Sequence, residues 1–136
     1  VTLPPECSGK VFLGAGCTST CNLEELVELA EAALREAGIV PAAVAGVATL
    51  GTRGGTVIAQ LAAHFGVPLQ LFTAERLEME TPRLASPSQA VFTSTGCHSV
   101  CEGAALAAAG EAGRLILPKR KTANATVAIA ASPVQA

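Results

Sequence analysis

Residues 10–50, KVFLGAGCTSTCNLEELVELAEAALREAGIVPAAVAGVATL, decide how this chain folds. Lys10–Ala15 is a short apolar run that ends among Gly14 and Gly16, as a buried strand does. Leu23–Ala37 follows with Leu23, Leu26, Val27, Ala30, Leu34 and Ala37 at helical spacing, and most of its charges fall off that stripe. Asn22 and Glu25 predict a capping box at its start, and Gly38 followed by Pro41 marks its end. Val44–Thr49 is a second apolar run, a buried strand. A strand, a helix and a strand in this order form one unit of a parallel sheet.

The rest of the chain extends that unit. Thr56–Phe65 is predicted as a helix stopped by Gly66 and Pro68, and Leu69–Phe72 as a third strand. Thr73–Glu78 is predicted as a short helix, Met79–Ser88 as irregular, and Gln89–Ser94 as a short strand. Ser99–Ala109 is an Ala-rich helix with Ser99 and Glu102 as its capping box. Arg114–Leu117 and Thr126–Ala130 are the last strands. Their connection, Pro118–Ala125, is short enough for a hairpin, so they are predicted to be antiparallel. The tail, Ala131–Ala136, is expected to fray. The fold class is α/β: residues 1–136 are predicted as a single three-layer α/β/α domain with a mainly parallel, mixed sheet and a C-terminal antiparallel hairpin.

Composition narrows the functions. The chain has 136 residues, half of them apolar, with 3 % aromatics and no Trp or Tyr. Such a length suits one domain with its own core. A net charge of −2 leaves no broad basic face, and the scarcity of rings removes stacking platforms, so no nucleic-acid partner is expected. No apolar run reaches membrane-spanning length, so no membrane partner is expected. Val1–Lys10 lacks the order of a signal peptide, and the expected location is cytoplasmic. The cysteines, Cys7, Cys17, Cys21, Cys97 and Cys101, are odd in number and are read as reduced thiols.

Three glycine-bearing loops follow strands and open helices: Gly14–Cys17, Thr49–Gly55 and Thr95–Ser99. In a parallel sheet they share the carboxyl edge, where helix N-termini favour an anionic ligand. The alternative is that these glycines only make tight turns. No nucleotide motif fits: there is no phosphate-binding Gly-rich Lys loop, and Gly14-x-Gly16-x-x-Ser19 lacks a third glycine. No cofactor is expected. Lys119-Arg120-Lys121 is either a solvated hairpin tip or a clamp for carboxylates. Glu102 is either a cap or a ligand contact. Cys17-x-x-x-Cys21 and Cys97-x-x-x-Cys101, with His98 nearby, allow a thiolate metal site, but buried thiols are the commoner outcome and no metal ligand is assigned. Cys17 or Cys97 at a helix N-terminus is also a possible nucleophile. His64 is read as structural or exposed.

Several segments together resemble one family. Lys10-Val-Phe-Leu-Gly-Ala-Gly-Cys17 is similar to the opening strand and turn of the CobE and CbiG C-terminal family, and Val44-Ala-Gly-Val-Ala-Thr-Leu50 to its second strand. Leu61–Leu69 and Phe72–Leu77 follow in register. Gly96-Cys-His-Ser-Val-Cys-Glu-Gly-Ala-Ala-Leu106 resembles its G-x-x-S-V-x-E-x-A-A-L pattern, and Leu115–Lys119 with Asn124–Ala130 its final hairpin. The match spans nearly the whole chain and looks like the stand-alone CobE type. The resemblance implies work on corrin-ring precursors of cobalamin (vitamin B12). Its larger members open a lactone on a cobalt-precorrin and release acetaldehyde, whereas the stand-alone type belongs with the aerobic pathway.

Carried over by position, the resemblance implies that Gly14, Gly16, Cys17, Arg53, Gly96, Ser99, Glu102, Lys119 and Thr126 face a precorrin or corrin ligand. Catalytic residues are not assigned. Many relatives carry an acid, a lysine and a glutamate in the second loop. This chain has Leu50-Gly-Thr-Arg-Gly-Gly-Thr56, with Arg53 near the lysine position and no acid. Its first loop has Thr18-Ser19-Thr20 in place of basic residues. These departures favour binding of a corrinoid intermediate over catalysis. The alternatives are a hydrolase acting on a precorrin lactone, a cysteine-based metal-binding protein, and a module that docks on other cobalamin-pathway enzymes.

Overall fold

A computed structural model of the chain describes residues 10–18, 21–51, 56–85, 89, 93, 100–110 and 113–132. Five strands form one sheet in the order β3-β2-β1-β5-β4: β1 Lys10–Cys17, β2 Val44–Leu50, β3 Leu69–Phe72, β4 Arg114–Lys121 and β5 Ala125–Ser132. Strands β1, β2 and β3 are parallel, with Leu13 opposite Val47 and Val47 opposite Leu69. Strand β5 lies antiparallel between β1 and β4. It therefore runs alone against the other four. It continues to Ser132 with Ala131 buried, so the expected fraying does not begin at Ala131.

The helices that frame the sheet are α1 Leu23–Ala37, α2 Thr56–Phe65, α3 Ala74–Glu78 and α4 Cys101–Ala109. The chain steps from β1 to β2 to β3 in one direction, so two crossovers of like hand leave α1 and α2 on the same face. Their apolar residues, Leu26, Ala30, Leu34, Ile58 and Leu61, pack with Val11, Leu13, Val47, Val127 and Ile129. Each fully buried leucine or isoleucine contributes about 2 kcal/mol. The opposite face of the sheet, with Phe12, Ala48 and Ala130, is covered by α4, backed by Leu77 of α3. The three layers expected from the strand–helix alternation are thus present.

Helix α1 begins at Asn22, whose side chain accepts a hydrogen bond from the Glu25 N–H at 2.8 Å. It ends at Gly38, whose φ of 75° lets Ile39 N–H return to the Leu34 carbonyl at 2.8 Å. The segment expected as irregular after α3 contains a 3-10 turn, Thr81–Arg83. It is organised by buried Glu80, which accepts from Arg76 at 2.6 Å and from Arg83 Nη2 at 2.5 Å. Arg83 also donates to the Gly110 carbonyl at 3.2 Å and the Gly113 carbonyl at 2.9 Å, where α4 ends and its carbonyls lack helical partners. Of Gln89–Ser94, expected as a strand, the two described residues, Gln89 and Thr93, are helical. The Thr93 hydroxyl donates to the Gln89 carbonyl at 3.0 Å, the i−4 bond that a helical threonine makes.

Burial pushes the Glu80 carboxyl up, but the hydrogen bonds and charges of Arg76 and Arg83 outweigh it and hold its pKa below 4.5. A depressed folded-state pKa stabilises above the unfolded value and is lost as pH falls through the folded value. Glu80→Gln is therefore expected to cost about 2 kcal/mol at neutral pH, and the difference from wild type should shrink below pH 4.5. Urea unfolding of both proteins at several pH values measures this. A pH-independent difference would overturn the assignment.

Candidate functional site

The carboxyl edge of the sheet is where β1, β2 and β3 end, β5 begins and α1 and α4 start. The tip of the β4–β5 hairpin is bound to the β1–α1 connection. Thr18 donates from its N–H to the Asn124 carbonyl at 2.8 Å and from its hydroxyl to Asn124 Oδ1 at 3.0 Å. The Glu25 carboxylate accepts from the Thr122 hydroxyl, from Asn124 N–H at 3.0 Å and from Asn124 Nδ2 at 3.2 Å. The Thr122 bond, then those of Asn124, lower the Glu25 pKa. The expected capping box is thus half made: Asn22 caps α1, while the Glu25 carboxylate holds the hairpin tip.

Gly14 and Gly16 lie on the α4 face of β1. A Cβ at Gly14 would sit 1.8 Å from the Cys101 carbonyl oxygen and 2.7 Å from the Ala105 nitrogen. Gly14 is therefore covered by α4, and its lack of a side chain serves helix-on-strand packing. A Cβ at Gly16 would meet Thr126 Oγ1 at 2.9 Å and Val100 Cγ1 at 3.5 Å. The Thr126 hydroxyl donates to the Gly16 carbonyl at 3.4 Å. Gly16, Thr126 and the residue before α4 thus come together, while Cys17 is half-buried on the opposite, α1 face of the same strand end. Of the other site residues read from the sequence, Arg53, Gly96 and Ser99 lie outside the described residues, as do Cys97 and His98.

Glu102 is fully buried in the first turn of α4. Its carboxylate accepts from Ala85 N–H at 3.0 Å and from Lys119 N–H at 2.7 Å. The second bond has a local cause. Between Leu117 and Arg120 the register of β4 on β5 shifts by one residue, a bulge at Pro118-Lys119. Proline has no N–H and is tolerated on this edge strand, and the bulge releases the Lys119 N–H from the ladder. The expected capping box is replaced: Val100 stands at the N-cap of α4 without a side-chain cap bond, and Glu102 joins α4 to two segments distant in sequence.

The basic run is placed differently from expectation. Lys119, Arg120 and Lys121 belong to β4, because the strand continues past the bulge, and only residues 122–124 connect the hairpin. Arg120 faces the α1 side, opposite Val127, and pairs with Glu36 at 2.5 Å. Lys121 lies opposite Thr126 on the α4 side. No acid among the described residues pairs with the Lys119 or Lys121 ammonium group. Lys119 is half-buried and Lys121 exposed. A shallow pocket of about 360 Å³ near the hairpin is lined by Glu24, Glu25 and Glu28. Its charge suits no carboxylate ligand.

Among the described residues, Cys17, Cys21 and Cys101 form no disulfide. Burial, then the neighbouring Cys17 and Glu25, pushes Cys21 up to about 11, which keeps it a thiol near neutral pH and unsuited to attack a dissolved substrate. No group of three or more potential metal ligands occurs among the described residues. His64 is exposed on α2, 3.3 Å from Glu31. Two polar features escaped the sequence reading. Buried Thr49 donates to the Ala15 carbonyl at 2.6 Å, tying β2 to β1. The Arg76-Glu80-Arg83 set was visible only as a spacing of four and then three residues, the reach of a helical turn.

The fold and this edge define a mixed α/β domain whose last two strands fold back beside the first. Comparison with known proteins gives its family. Residues 11–130 match the family described as Cobalamin synthesis G C-terminus. A curated relative, Protein CobE of Sinorhizobium sp, is 46 % identical over 121 residues, covering 88 % of this chain and 79 % of the relative. The crystal structure of CobE, a protein from the cobalamin (vitamin B12) biosynthetic pathway, superposes with a TM-score of 0.86 at 32 % identity, covering 98 % of each chain. The cobalamin biosynthesis protein chiG of Agrobacterium tumefaciens gives 0.67 at 27 % identity, covering 90 % of this chain and 98 % of that one. A putative cobalamin biosynthesis protein G homolog of Sulfolobus solfataricus gives 0.69 at 25 % identity, and the match covers 90 % of this chain and 36 % of that longer one. The chain belongs to the cobalamin synthesis G C-terminal family, a family of cobalamin biosynthesis proteins that includes CobE. Among the described residues no helix is long and apolar enough to cross a membrane.

Proposed function

We propose that this chain binds a corrin-ring intermediate of the aerobic cobalamin pathway in the cytoplasm, and holds it or passes it to other pathway enzymes without transforming it. The observation that carries the reading is the gathering of Lys119, Lys121, Thr126, Gly16 and Cys17 at one sheet edge, in a chain of this family. Corrin acids are large, flat and edged with carboxylates. Two lysines without acid partners among the described residues offer such groups charge-assisted hydrogen bonds. Thr126, half-buried opposite Lys121, lies beside them. Arg53, Gly96 and Ser99 are proposed for the same site on the family resemblance alone.

The test is gel filtration of the purified chain mixed with corrin-acid intermediates, followed by visible absorbance. Pigment is expected to co-elute with an unchanged spectrum. Replacing both Lys119 and Lys121 with alanine should weaken binding about tenfold or more, the value of one or two charge-assisted contacts. Pigment that elutes apart with every intermediate would overturn the binding reading. A shifted spectrum with a new product would replace the carrier with an enzyme.

A further inference from the structure

The geometry of the dithiol at the end of β1 points to a second property of Cys17, beyond its place at the proposed binding edge. We propose that Cys17 and Cys21 form a reversible intramolecular disulfide, a redox latch across the connection between β1 and α1. Cys17 closes β1, and Cys21 immediately precedes Asn22, the cap of α1. Cys21 N–H donates to the Thr18 carbonyl at 3.2 Å, which turns the chain back on itself. The turn brings the two side chains into the same core cluster and into thiol-to-thiol contact, and neither is in a disulfide. The ends of the turn are fixed from both sides: Cys17 is paired with Ala125 in the sheet, and Thr18 is bound to Asn124.

The two sulfurs differ in a way that assigns their roles. Cys17 is half-buried and meets solvent, whereas Cys21 is 6 % exposed. The oxidant is a hydroperoxide. The Cys17 sulfur, as thiolate, attacks the terminal peroxide oxygen. The O–O bond breaks, water leaves after proton uptake, and Cys17 becomes a sulfenic acid. The Cys21 sulfur then attacks the Cys17 sulfur. The S–O bond breaks, a second water carries off the Cys21 proton, and the disulfide forms. In sum, two thiols and one hydrogen peroxide give one disulfide and two waters, with the two electrons supplied by the sulfurs. A dithiol reductant reverses the change by attacking the accessible Cys17 sulfur. Cys21 then departs as a thiolate that burial disfavours, so reduction is slow relative to an exposed disulfide.

The sequence supplies a direct assay. Trypsin cleaves after Lys10 and Arg35, and the peptide Val11–Arg35 contains Cys17 and Cys21 and no other cysteine. The native chain is treated with equimolar hydrogen peroxide, unfolded, alkylated with iodoacetamide and digested. The peptide is expected to be two hydrogens lighter and to take no alkyl group, and dithiothreitol should restore both alkylation sites. In Cys21→Ser, Cys17 should stop at the sulfenic acid and be captured by dimedone, which in the wild type labels it several-fold less. Oxidation in urea should be several-fold slower, because the turn and its anchors are lost. A peptide that keeps two alkylation sites overturns the proposal, as do equal dimedone labelling in both proteins, pairing with another cysteine, or equal rates with and without urea. These readouts involve no corrinoid, so the latch and the binding reading fail separately.

Discussion

Gly14→Ala is expected to destabilise the domain by about 3 kcal/mol or more, enough to unfold much of a marginally stable protein. The reason is the backbone geometry around that position. The added methyl carbon would stand 1.8 Å from the Cys101 carbonyl oxygen, 2.7 Å from the Ala105 nitrogen and 2.8 Å from the Cys101 carbonyl carbon. No rotamer relieves a clash with main-chain atoms. Either α4 must lift from β1, exposing Phe12, Ala105 and Leu106, or β1 must shift against β2 and β5. Gly16→Ala is a graded control. There the nearest atom is the Thr126 hydroxyl at 2.9 Å, the end of a side chain that has other rotamers. Urea unfolding followed by circular dichroism should show a much lower midpoint for Gly14→Ala than for Gly16→Ala. Equal midpoints would mean that α4 does not pack on β1 as described.

Glu102→Ala is expected to cost about 3 kcal/mol, because it leaves the Ala85 and Lys119 N–H groups without the acceptor they share. Glu102→Gln keeps the shape and one carbonyl oxygen but turns the other acceptor into a donor facing an N–H. It should therefore recover only part of the loss. The structural role makes a second demand. Hydrogen exchange at Lys119 N–H should accelerate in both variants, even under conditions where the sheet remains folded. A variant with unchanged stability and unchanged exchange at Lys119 would return Glu102 to the pool of candidate ligand contacts.

The strand and helix order was legible because it is written in local patterns: six apolar residues at helical spacing in α1, short apolar runs for the strands, and Gly38 and Gly66 at helix ends. What eluded the sequence were consequences of distance. Glu102 and Ser99 have capping-box spacing, and nothing local announces that residues 85 and 119 supply the carboxylate's donors. The basic run follows Pro118, which normally ends a strand. Only the pairing of Arg120 with Val127 reveals that β4 continues beyond it. Gly14 stands in one of the three glycine-bearing loops, and α4 covers it. The competing signal was present, since alternate residues of a strand share a face and an Ala-rich helix packs closely on a face without side chains. The aspect of the site that was legible, a crowded carboxyl edge, follows from parallel topology alone.

The position of β5 has a consequence for how the domain is made. Strand β5 follows β1 by more than a hundred residues, yet it is the second neighbour of β1 in the sheet, and Lys10 is paired with Ser132. Until residues 125–132 have left the ribosome, one side of β1 has no strand to bond, and Val11, Leu13 and Ala15 lack the packing of Val127, Ile129 and Ala131. The emerging chain must therefore wait with β1 half-paired. The closing event joins segments separated by more than a hundred residues, a slow class of contact that leaves a nascent edge open to the wrong partners.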